Sequence, residues 1–357
     1  MGIASKGLNH IFKLLRRSSS SKYICPVYSK ENVILSSGEV TTCCLDAFGK
    51  NIFGDINNET LPDLRKHHLT DFHAANCLAN QTGHPWPKPF CAECLTKGFA
   101  TVFGAKPTED LDEVARFKAP LPPLPQSLVL EACSTCNYQC IGCGLGQKVI
   151  NRSKHFLDFD TFTRRVLTVV PELYQVRLYN YGEPFMHPQI IDIIAALRQA
   201  NPKLVIEIST NGMLMSRKIS ESLVANRVNY LTISLHGGHT QEGLMRSARK
   251  GADIRVIENN IRTLVECRRN AGSVLPRIMI KSLLFHWNDS DDEMQDFLRF
   301  GTELGVDLAA WDLNRNDPSL SSQRFMLGSS AYEELNRSGH TFDHFYRRFP
   351  PDKDETL

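Results

Sequence analysis

Three cysteines in the middle of the chain have the spacing of a reactive metal centre. Cys136, Cys140 and Cys143 follow the pattern CxxxCxxC in a segment that begins at Glu131. Three thiolates this close together can hold three irons of a cubane [4Fe–4S] cluster. No fourth protein ligand stands at a matching position, so one iron is left open. Because structural metal sites normally close their shell with four protein ligands, the open position predicts chemistry.

A zinc knuckle is the alternative for the same three cysteines. Cys133, or the pair Cys91 and Cys94, would then complete the shell. Zinc at this site and at the N-terminal cysteines would make the chain a non-catalytic binding module. Cys133 by itself is more typical of a packing residue than of a fourth ligand.

Strand-like and helix-like segments alternate after residue 127, which is typical of βα units and a parallel sheet. The predicted strands are Leu128–Ala132, Val176–Tyr181, Leu204–Ser209, Tyr230–Leu235, Arg277–Leu284 and Val306–Trp311. Ser290 and Glu293 form a capping box for the helix that follows the fifth strand. The fold class predicted is α/β: a partial (β/α)6 TIM-like barrel over residues 128–314, after a small cysteine-rich N-terminal domain.

Polar and glycine residues gather where these strands end. The cysteine triplet follows strand one, Gly182-Glu183-Pro184 follows strand two, Asn211-Gly212 strand three and His236-Gly237 strand four. In a (β/α) barrel the chemistry lies at the C-terminal ends of the strands. Glycine permits close backbone approach, and the side chains supply donors and acceptors for a polar cofactor. The sequence therefore predicts a cofactor site on this rim.

The cysteine triplet and the strand-end motifs resemble the radical S-adenosylmethionine (SAM) superfamily. The resemblance implies that the open iron chelates SAM, and that Gly182 and Glu183 hold its methionine ammonium. It further implies ribose or carboxylate contacts from Ser209, Asn211 and Ser234. Two positions depart from the pattern: Tyr181 replaces the first glycine of the strand-two motif, and Gly142 replaces a bulky residue expected against the adenine. Tyr138 is predicted to fill that space.

The N-terminal third contains a second set of cysteines. A hairpin is predicted from Val33–Leu35 and Val40–Cys43, which brings Cys43 back beside Cys25. Cys91 and Cys94 form a CxxC pair, and four such thiolates make a closed site. Spacing alone does not separate zinc from an iron–sulfur cluster here.

Residues 23–100 resemble the SPASM/twitch auxiliary-cluster domain, which members of the superfamily usually place after the barrel. The motifs are Cys-Pro, Ser-Gly-Glu-Val-x-x-Cys-Cys-x-Asp, Phe-Gly-Asp-Ile-Asn and the terminal CxxC. The resemblance implies a second [4Fe–4S] cluster with the ligands Cys25, Cys43, Cys91 and Cys94. Cys44 is the rival to Cys43, because adjacent residues of a strand point to opposite faces. Cys77 is interpreted as a core residue.

The remaining segments complete the predicted organisation. Residues 1–22 are a basic tail, with an organelle-targeting peptide as the alternative. Residues 101–127 are a proline-rich linker, and residues 315–357 are a C-terminal extension that closes the barrel. Four residues just past strands five and six are candidates for substrate contact: His286, Asn288, Asp312 and Asn314. Cys267 and His187 are interpreted as structural.

Composition limits the class of protein. A net charge of +2 gives no reason to expect nucleic acid or a membrane surface as partner, and no apolar run approaches a membrane span. Eleven cysteines without an apolar signal-peptide core favour metal centres in a reducing compartment, which here is the cytoplasm.

The function predicted is a radical SAM oxidoreductase or epimerase. It would cleave SAM reductively with electrons from an external donor of the flavodoxin or ferredoxin type. The 5′-deoxyadenosyl radical would then dehydrogenate or epimerise a small polar metabolite, such as a sugar or aminocyclitol. Modification of a peptide is the alternative within the same class.

Overall fold

One nine-stranded sheet organises the molecule. A computed structural model of the protein describes residues 22–25, 27–44, 46, 48–74, 106–108, 119–146, 148, 150–248, 251–314, 319–342 and 348. Cys77, Cys91, Cys94 and nearly all of the predicted tail lie outside the described residues.

The N-terminal region forms short elements, and three of its strands lie at one end of the nine-stranded sheet. They are β1 (Lys22–Ile24), α1 (Val27–Lys30), β2 (Glu31–Ile34), β3 (Glu39–Thr41), β4 (Ile52–Asp55), α2 (Leu61–Leu64, continued by a π-helical turn over Arg65–Leu69) and β5 (Lys106–Thr108). The predicted hairpin is present as β2 and β3, and Gly38 turns between them with φ +96°. β1 and β5 pair antiparallel in a separate ribbon.

The barrel segment follows in order. It comprises β6 (Ser127–Leu130), α3 (Phe159–Thr161, continued by a π-helical turn over Phe162–Val166), β7 (Gln175–Leu178), α4 (Ile190–Ala200), β8 (Val205–Thr210), α5 (Arg217–Ala225), β9 (Tyr230–Ser234), α6 (Gln241–Ala248), α7 (Ile254–Asn270), β10 (Arg277–Leu284), α8 (Asp291–Leu304), β11 (Leu308–Leu313) and α9 (Ser330–Arg337). Short 3-10 turns lie at Val170–Glu172 and Pro184–Met186. All six predicted strands are present, with ends shifted by at most three residues.

The sheet is open rather than closed, which confirms the predicted partial barrel. Its strand order is β11-β10-β9-β8-β7-β6-β2-β3-β4, and β6 to β11 are parallel. Helices cover the outer face and build the main core. For example, Ile257, Ile261 and Leu264 of α7 are each fully buried. Ser290 caps α8 as predicted, accepting a hydrogen bond from the Glu293 backbone N–H at 3.3 Å.

The sequence did not predict how the N-terminal hairpin joins the barrel. β2 pairs in parallel with β6, so that Val33 lies beside Val129 and Ile34 beside Leu130. All four side chains are buried. The barrel sheet therefore continues directly into the cysteine-rich region.

The described part of the C-terminal extension packs along the last strands. Trp311 of β11 donates its backbone N–H to the carbonyl of His340 at 2.9 Å. Phe342 packs against an apolar cluster that contains Tyr230 and Met279. The extension thus covers part of the outer edge of β11. No helix among the described residues combines the length and apolar character that crossing a membrane requires.

Candidate functional site

The three central cysteines open into one cavity at the C-terminal ends of the barrel strands. The cavity has a volume of about 330 Å³, and Cys136, Cys140 and Cys143 line it. All three thiols are free and half-buried. The loop that carries them begins directly after β6 and is fixed to α6, because Ile141 donates its N–H to the carbonyl of Ser247 at 2.9 Å.

Every cofactor contact predicted from the sequence faces the same cavity. The lining includes Tyr138, Gly182, Glu183, Ser209, Asn211 and Ser234. They come from the cysteine loop and from the ends of β7, β8 and β9. The parallel register brings these strand ends to one edge of the sheet, which is why residues up to about a hundred positions apart meet there.

Glu183 is the most strongly held of these residues. Its carboxylate is buried and accepts hydrogen bonds from the Thr210 hydroxyl (2.7 Å), the Asn211 backbone N–H (2.8 Å) and the Phe185 backbone N–H (3.2 Å). Burial raises the pKa of Glu183 to about 7, although these three hydrogen bonds oppose the shift. A cationic group brought into the cavity would restore the ionised carboxylate.

Asn211 connects the cysteine loop to the end of β8. Its side-chain amide donates to Asn137 Oδ1 at 2.7 Å and to the Cys136 sulfur at 3.8 Å. The backbone N–H of Tyr138 also donates to the Cys136 sulfur, at 3.4 Å. These contacts fix where the first cysteine of the triplet points.

Burial disfavours the thiolate form of the cysteines in the absence of a cation. It raises the pKa of Cys136 to about 11 and that of Cys140 to about 12, and the charge of Cys143 adds to both shifts. Thiolates are the ligands that iron–sulfur clusters require, and a bound cationic cluster offsets the cost of their charge.

The residues present fit a [4Fe–4S] cluster with SAM beside it. Three thiols form the donor set, and the Tyr138 hydroxyl is buried without a hydrogen-bond partner among the described residues. Gly182 has φ +106°, and a Cβ there would lie 2.1 Å from the carbonyl oxygen of Cys133. The cysteine loop and the end of β7 therefore approach each other as closely as only glycine allows.

A site for a single metal ion is a different arrangement. Within the described part of the chain, no three His, Cys, Asp or Glu side chains converge to hold one ion. A cubane binds each thiolate through a separate iron, so its ligands stand further apart. Cys133 is buried and outside the cavity lining, and its sulfur lies 3.1 Å from the Thr135 hydroxyl.

A buried ion pair supports the base of the cysteine loop. Glu131, at the end of β6, accepts from Arg152 at 2.9 Å and from the Asn180 amide at 2.8 Å. The Ser36 hydroxyl, in the β2–β3 turn, donates to the same carboxylate at 3.2 Å. Both members of the ion pair are at most 5% exposed. The loop, strand β7 and the N-terminal hairpin therefore meet at one carboxylate.

The described auxiliary cysteines lie in two environments. Cys25 packs against the apolar cluster of Tyr28, Leu69 and Phe72, whereas Cys44 packs against the cluster around Val33. Burial raises the pKa of both Cys25 and Cys44, and the Glu31 carboxylate raises that of Cys44 further. Cys44 and Cys25 thus pack in different apolar clusters, and Cys43 as the ligand beside Cys25 stays a prediction.

The four predicted substrate contacts separate into two groups. Asn314 lines the cavity, and Asp312 lies 3.9 Å from Lys281, which also lines it. His286 is exposed, and Asn288 is buried in a loop where its amide donates to the carbonyl of Leu283 and its oxygen accepts from the N–H of Phe285. Neither of these two lines the cavity, because the chain turns away from the rim after β10.

Several polar residues of the described cavity lining were not predicted, among them Tyr179, Glu207, Thr232 and Lys281. The signal that could have found them is the period-two alternation of strands. Glu207 precedes Ser209 by two positions, and Thr232 precedes Ser234 by two, so each pair shares a face. The two remaining structural interpretations agree with the structure: Cys267 is buried on α7, and His187 bonds to the carbonyl of Leu157 at 2.9 Å.

Comparison with known proteins identifies the class. Residues 130–300 match the radical SAM superfamily, and residues 25–95 match SPASM, an iron–sulfur cluster-binding domain. Residues 130–300 are therefore a radical SAM domain, and a SPASM domain lies on its N-terminal side. Its cofactors are therefore SAM and a [4Fe–4S] cluster, with additional iron–sulfur binding in the SPASM domain.

One curated relative and two solved structures illustrate what the chain is similar to. The relative is the tungsten-containing aldehyde ferredoxin oxidoreductase cofactor-modifying protein of Pyrococcus furiosus, 25% identical over 182 residues. The match covers 50% of this chain and 49% of the relative, so the chain spans about half the length of that protein.

The solved structures are more distant in sequence. SuiB of Streptococcus suis bound to S-adenosylmethionine has 14% identity and a TM-score of 0.48, covering 93% of this chain and 70% of SuiB. Methylornithine synthase (PylB) has 13% identity and a TM-score of 0.43, covering 58% of this chain and 61% of PylB. Neither likeness indicates which molecule this chain acts on.

Proposed function

We propose that this chain is an enzyme that cleaves SAM reductively and abstracts a hydrogen atom from a small polar metabolite. The observation that carries the proposal is the shared cavity: three free thiols, a buried carboxylate and the polar ends of β8 and β9 face one another. In this proposal Cys136, Cys140 and Cys143 hold three irons of the cluster.

The chemistry itself belongs to the cofactors. When bound, the reduced cluster gives one electron to the sulfonium of SAM, which breaks a carbon–sulfur bond to yield methionine and a 5′-deoxyadenosyl radical that takes the hydrogen atom. The chain positions the two reactants and keeps water away from them. The half-buried cysteines and the loop contacts to α6 serve that purpose.

Glu183 would bind the methionine ammonium of SAM. Three hydrogen bonds fix its carboxylate at the cavity wall, and a cation is what a buried carboxylate needs to remain ionised. Gly182 allows the cysteine loop to approach closely. Ser209, Asn211 and Ser234 would supply contacts for ribose or carboxylate, and Tyr138 would fill the space beside the adenine; all of these residues line the cavity.

The auxiliary site would hold a second [4Fe–4S] cluster on Cys25, Cys43, Cys91 and Cys94. A second cluster can accept an electron from the substrate radical, which favours dehydrogenation, or take part in its quenching, which favours epimerisation. The partner would be an external one-electron donor of the flavodoxin or ferredoxin type in the cytoplasm. A sugar or aminocyclitol remains the substrate class predicted from the sequence, supported here only by the polar side chains among the lining residues.

Anaerobic reconstitution tests the proposal. The wild-type protein should contain about eight irons and a similar amount of sulfide per chain. With dithionite and SAM it should form 5′-deoxyadenosine, measured by mass spectrometry. C140A should lose this product, whereas the matched control C267A, on an outer helix, should keep it. Zinc without sulfide, or equal product from C140A and wild type, would contradict the proposal.

A further inference from the structure

The inner wall of the barrel carries polar residues that are not among the predicted contacts to the cluster and SAM. Thr232 lies on the β9 face that also presents Ser234, His236 lies in the turn that follows β9, and Lys281 comes from β10. Among the described residues that line the cavity, Lys281 is the only permanent cation. These three side chains are the basis of the inference that follows.

Two of these side chains have a buried polar atom without a partner. The Thr232 hydroxyl and His236 Nδ1 make no hydrogen bond to any described residue. Thr232 is 2% exposed. Buried polar atoms in native proteins are nearly always hydrogen-bonded, so two orphans in one cavity indicate a ligand that supplies the missing partner.

The strand register places Lys281 near the two orphans. Lys281 lies directly opposite Ser234, and its carbonyl accepts the N–H of Leu235 at 2.7 Å. Thr232 stands two positions before Ser234 on the same face, and His236, in the turn after β9, lies close enough to feel the charge of Lys281. Burial and the charge of Lys281 lower the pKa of His236 to about 3, so the imidazole is neutral and one of its nitrogens carries a hydrogen to donate.

The other charged groups of the wall are held by one another. Arg177 pairs with Glu31 and lies 3.5 Å from Glu207. Glu207 also accepts from the Tyr179 hydroxyl at 2.9 Å and from the Gln175 amide at 3.0 Å. Arg177 therefore offsets part of the charge of Glu207, and Lys281 is the cation that lines the cavity.

We propose that Lys281, Thr232 and His236 bind a carboxylate of the substrate. Lys281 supplies the charge, and the hydroxyl and the imidazole donate hydrogen bonds to the carboxylate oxygens. A carboxylate suits the site better than a phosphate, because the described lining offers one lysine and Asp312, at 3.9 Å, offsets part of its charge. The assignment rests on the proposed function and narrows its substrate to an acidic metabolite.

Deuterium transfer tests the assignment on a mixture of possible substrates. A metabolite extract from bacteria grown in deuterium oxide is treated with phosphatase and divided by anion exchange. The bound fraction then contains carboxylates, and the unbound fraction contains neutral and cationic compounds. Each fraction is incubated with the holoenzyme, dithionite and SAM. Deuterium in 5′-deoxyadenosine reports abstraction from a metabolite, and it should come from the bound fraction.

Variants of Lys281 and Thr232 test whether the deuterium label depends on this subsite. K281M should lower the labelled share of 5′-deoxyadenosine about ten- to a hundredfold, as expected for loss of a charge-assisted hydrogen bond, and K281R should restore part of it. T232V should lower the labelled share about fivefold. K203M and T168V change an exposed lysine and an exposed threonine and should have no effect.

Three results would overturn the assignment: label from the unbound fraction, label that K281M leaves within twofold of wild type, or no label from either fraction while 5′-deoxyadenosine still forms. Failure of dithionite and SAM to give any 5′-deoxyadenosine is a separate result. It would overturn the proposed function, and the assignment with it.

Discussion

At the scale of single residues, the site contains two residues in unfavourable states: one by its ionisation and one by its backbone conformation. The buried carboxylate of Glu183 has no cationic partner among the described residues, and Gly182 has a backbone conformation that other residues rarely adopt. Both the burial of Glu183 and the conformation of Gly182 follow from the close approach of the cysteine loop to the strand ends. The same closeness would bring a bound cofactor against the protein on several sides.

The buried carboxylate of Glu183 predicts a pH dependence of stability in the protein without SAM. The folded-state pKa is raised from 4.5 to about 7, so folding favours the protonated form. The contribution of Glu183 is therefore fully present below pH 4.5 and is lost as the pH rises through about 7. In urea unfolding, the free energy of wild type relative to E183Q should fall between pH 5 and 8, by on the order of 3 kcal/mol.

Glu242 provides the control for that measurement. Its side chain is 77% exposed, so E242Q should show no such trend relative to wild type. A free-energy difference between wild type and E183Q that stays constant across this pH range would show that Glu183 is ionised in the folded protein.

Gly182 predicts a steric effect that is separate from backbone strain. In G182A the new Cβ would lie 2.1 Å from the Cys133 carbonyl oxygen, so the cysteine loop has to move. G238A shares a similar φ, +110°, but has nothing within 4 Å of the new Cβ. G182A should lose most of its iron on reconstitution and bind SAM at least tenfold more weakly, whereas G238A should keep its iron. Equal iron content in the two variants would show that the loop tolerates the methyl group.

At the scale of elements, the Glu131–Arg152 pair couples three segments. It joins the end of β6 to the cysteine loop, and Ser36 and Asn180 extend the contact to the hairpin and to the end of β7. The described residues of the long loop between β6 and α3 form no helix or strand, so this carboxylate supplies part of what a regular element would otherwise provide.

Breaking that pair should be far more costly than breaking a surface pair. E131Q leaves the buried guanidinium of Arg152 without its counter-charge and should destabilise the protein by about 3–5 kcal/mol in urea unfolding. E242Q, which removes the exposed partner of Arg246, should cost less than about 1 kcal/mol. The double variant E131L/R152M should recover part of the loss, because no unpaired charge remains. No recovery would indicate that the polar contacts of Ser36 and Asn180 matter more than the charge pair.

At the scale of the whole molecule, the cysteine-rich region and the barrel share one sheet. β2 continues the parallel barrel strands, and Arg177 of β7 reaches across β6 to Glu31 of β2. Each of the two sequence-defined domains therefore contributes to the same buried surface. We expect them to unfold together.

V33D tests this shared core. The side chain of Val33 is fully buried against Leu35 and Val129, so a carboxylate there should destabilise the protein by several kcal/mol. Hydrogen exchange should show that amides of β6 and β7 lose protection together with those of β2 and β3. The control V256D, at a position that is 38% exposed on α7, should leave these amides protected. Loss of protection confined to β2 and β3 would mean that the hairpin unfolds independently.

The sequence by itself determined those parts of the fold and the site that depend on residues close together in the chain. The spacing CxxxCxxC depends on residues a few positions apart, and apolar periodicity marked all six barrel strands. The strand-end motifs then followed from the rule that parallel strands share an edge. These local signals were enough to indicate the superfamily, the cofactors and all nine described residues of the proposed SAM and cluster site.

Only the tertiary structure decided which residues far apart in sequence lie next to one another in the sheet and the cavity. The parallel pairing of β2 with β6, the contact of Ser36 with Glu131 and the group of Thr232, His236 and Lys281 depend on register between strands. The exclusion of His286 and Asn288 from the cavity depends on the direction of the chain after β10. The register between strands and the direction of the chain are set by burial summed over the whole sheet, so no short segment of sequence determines them.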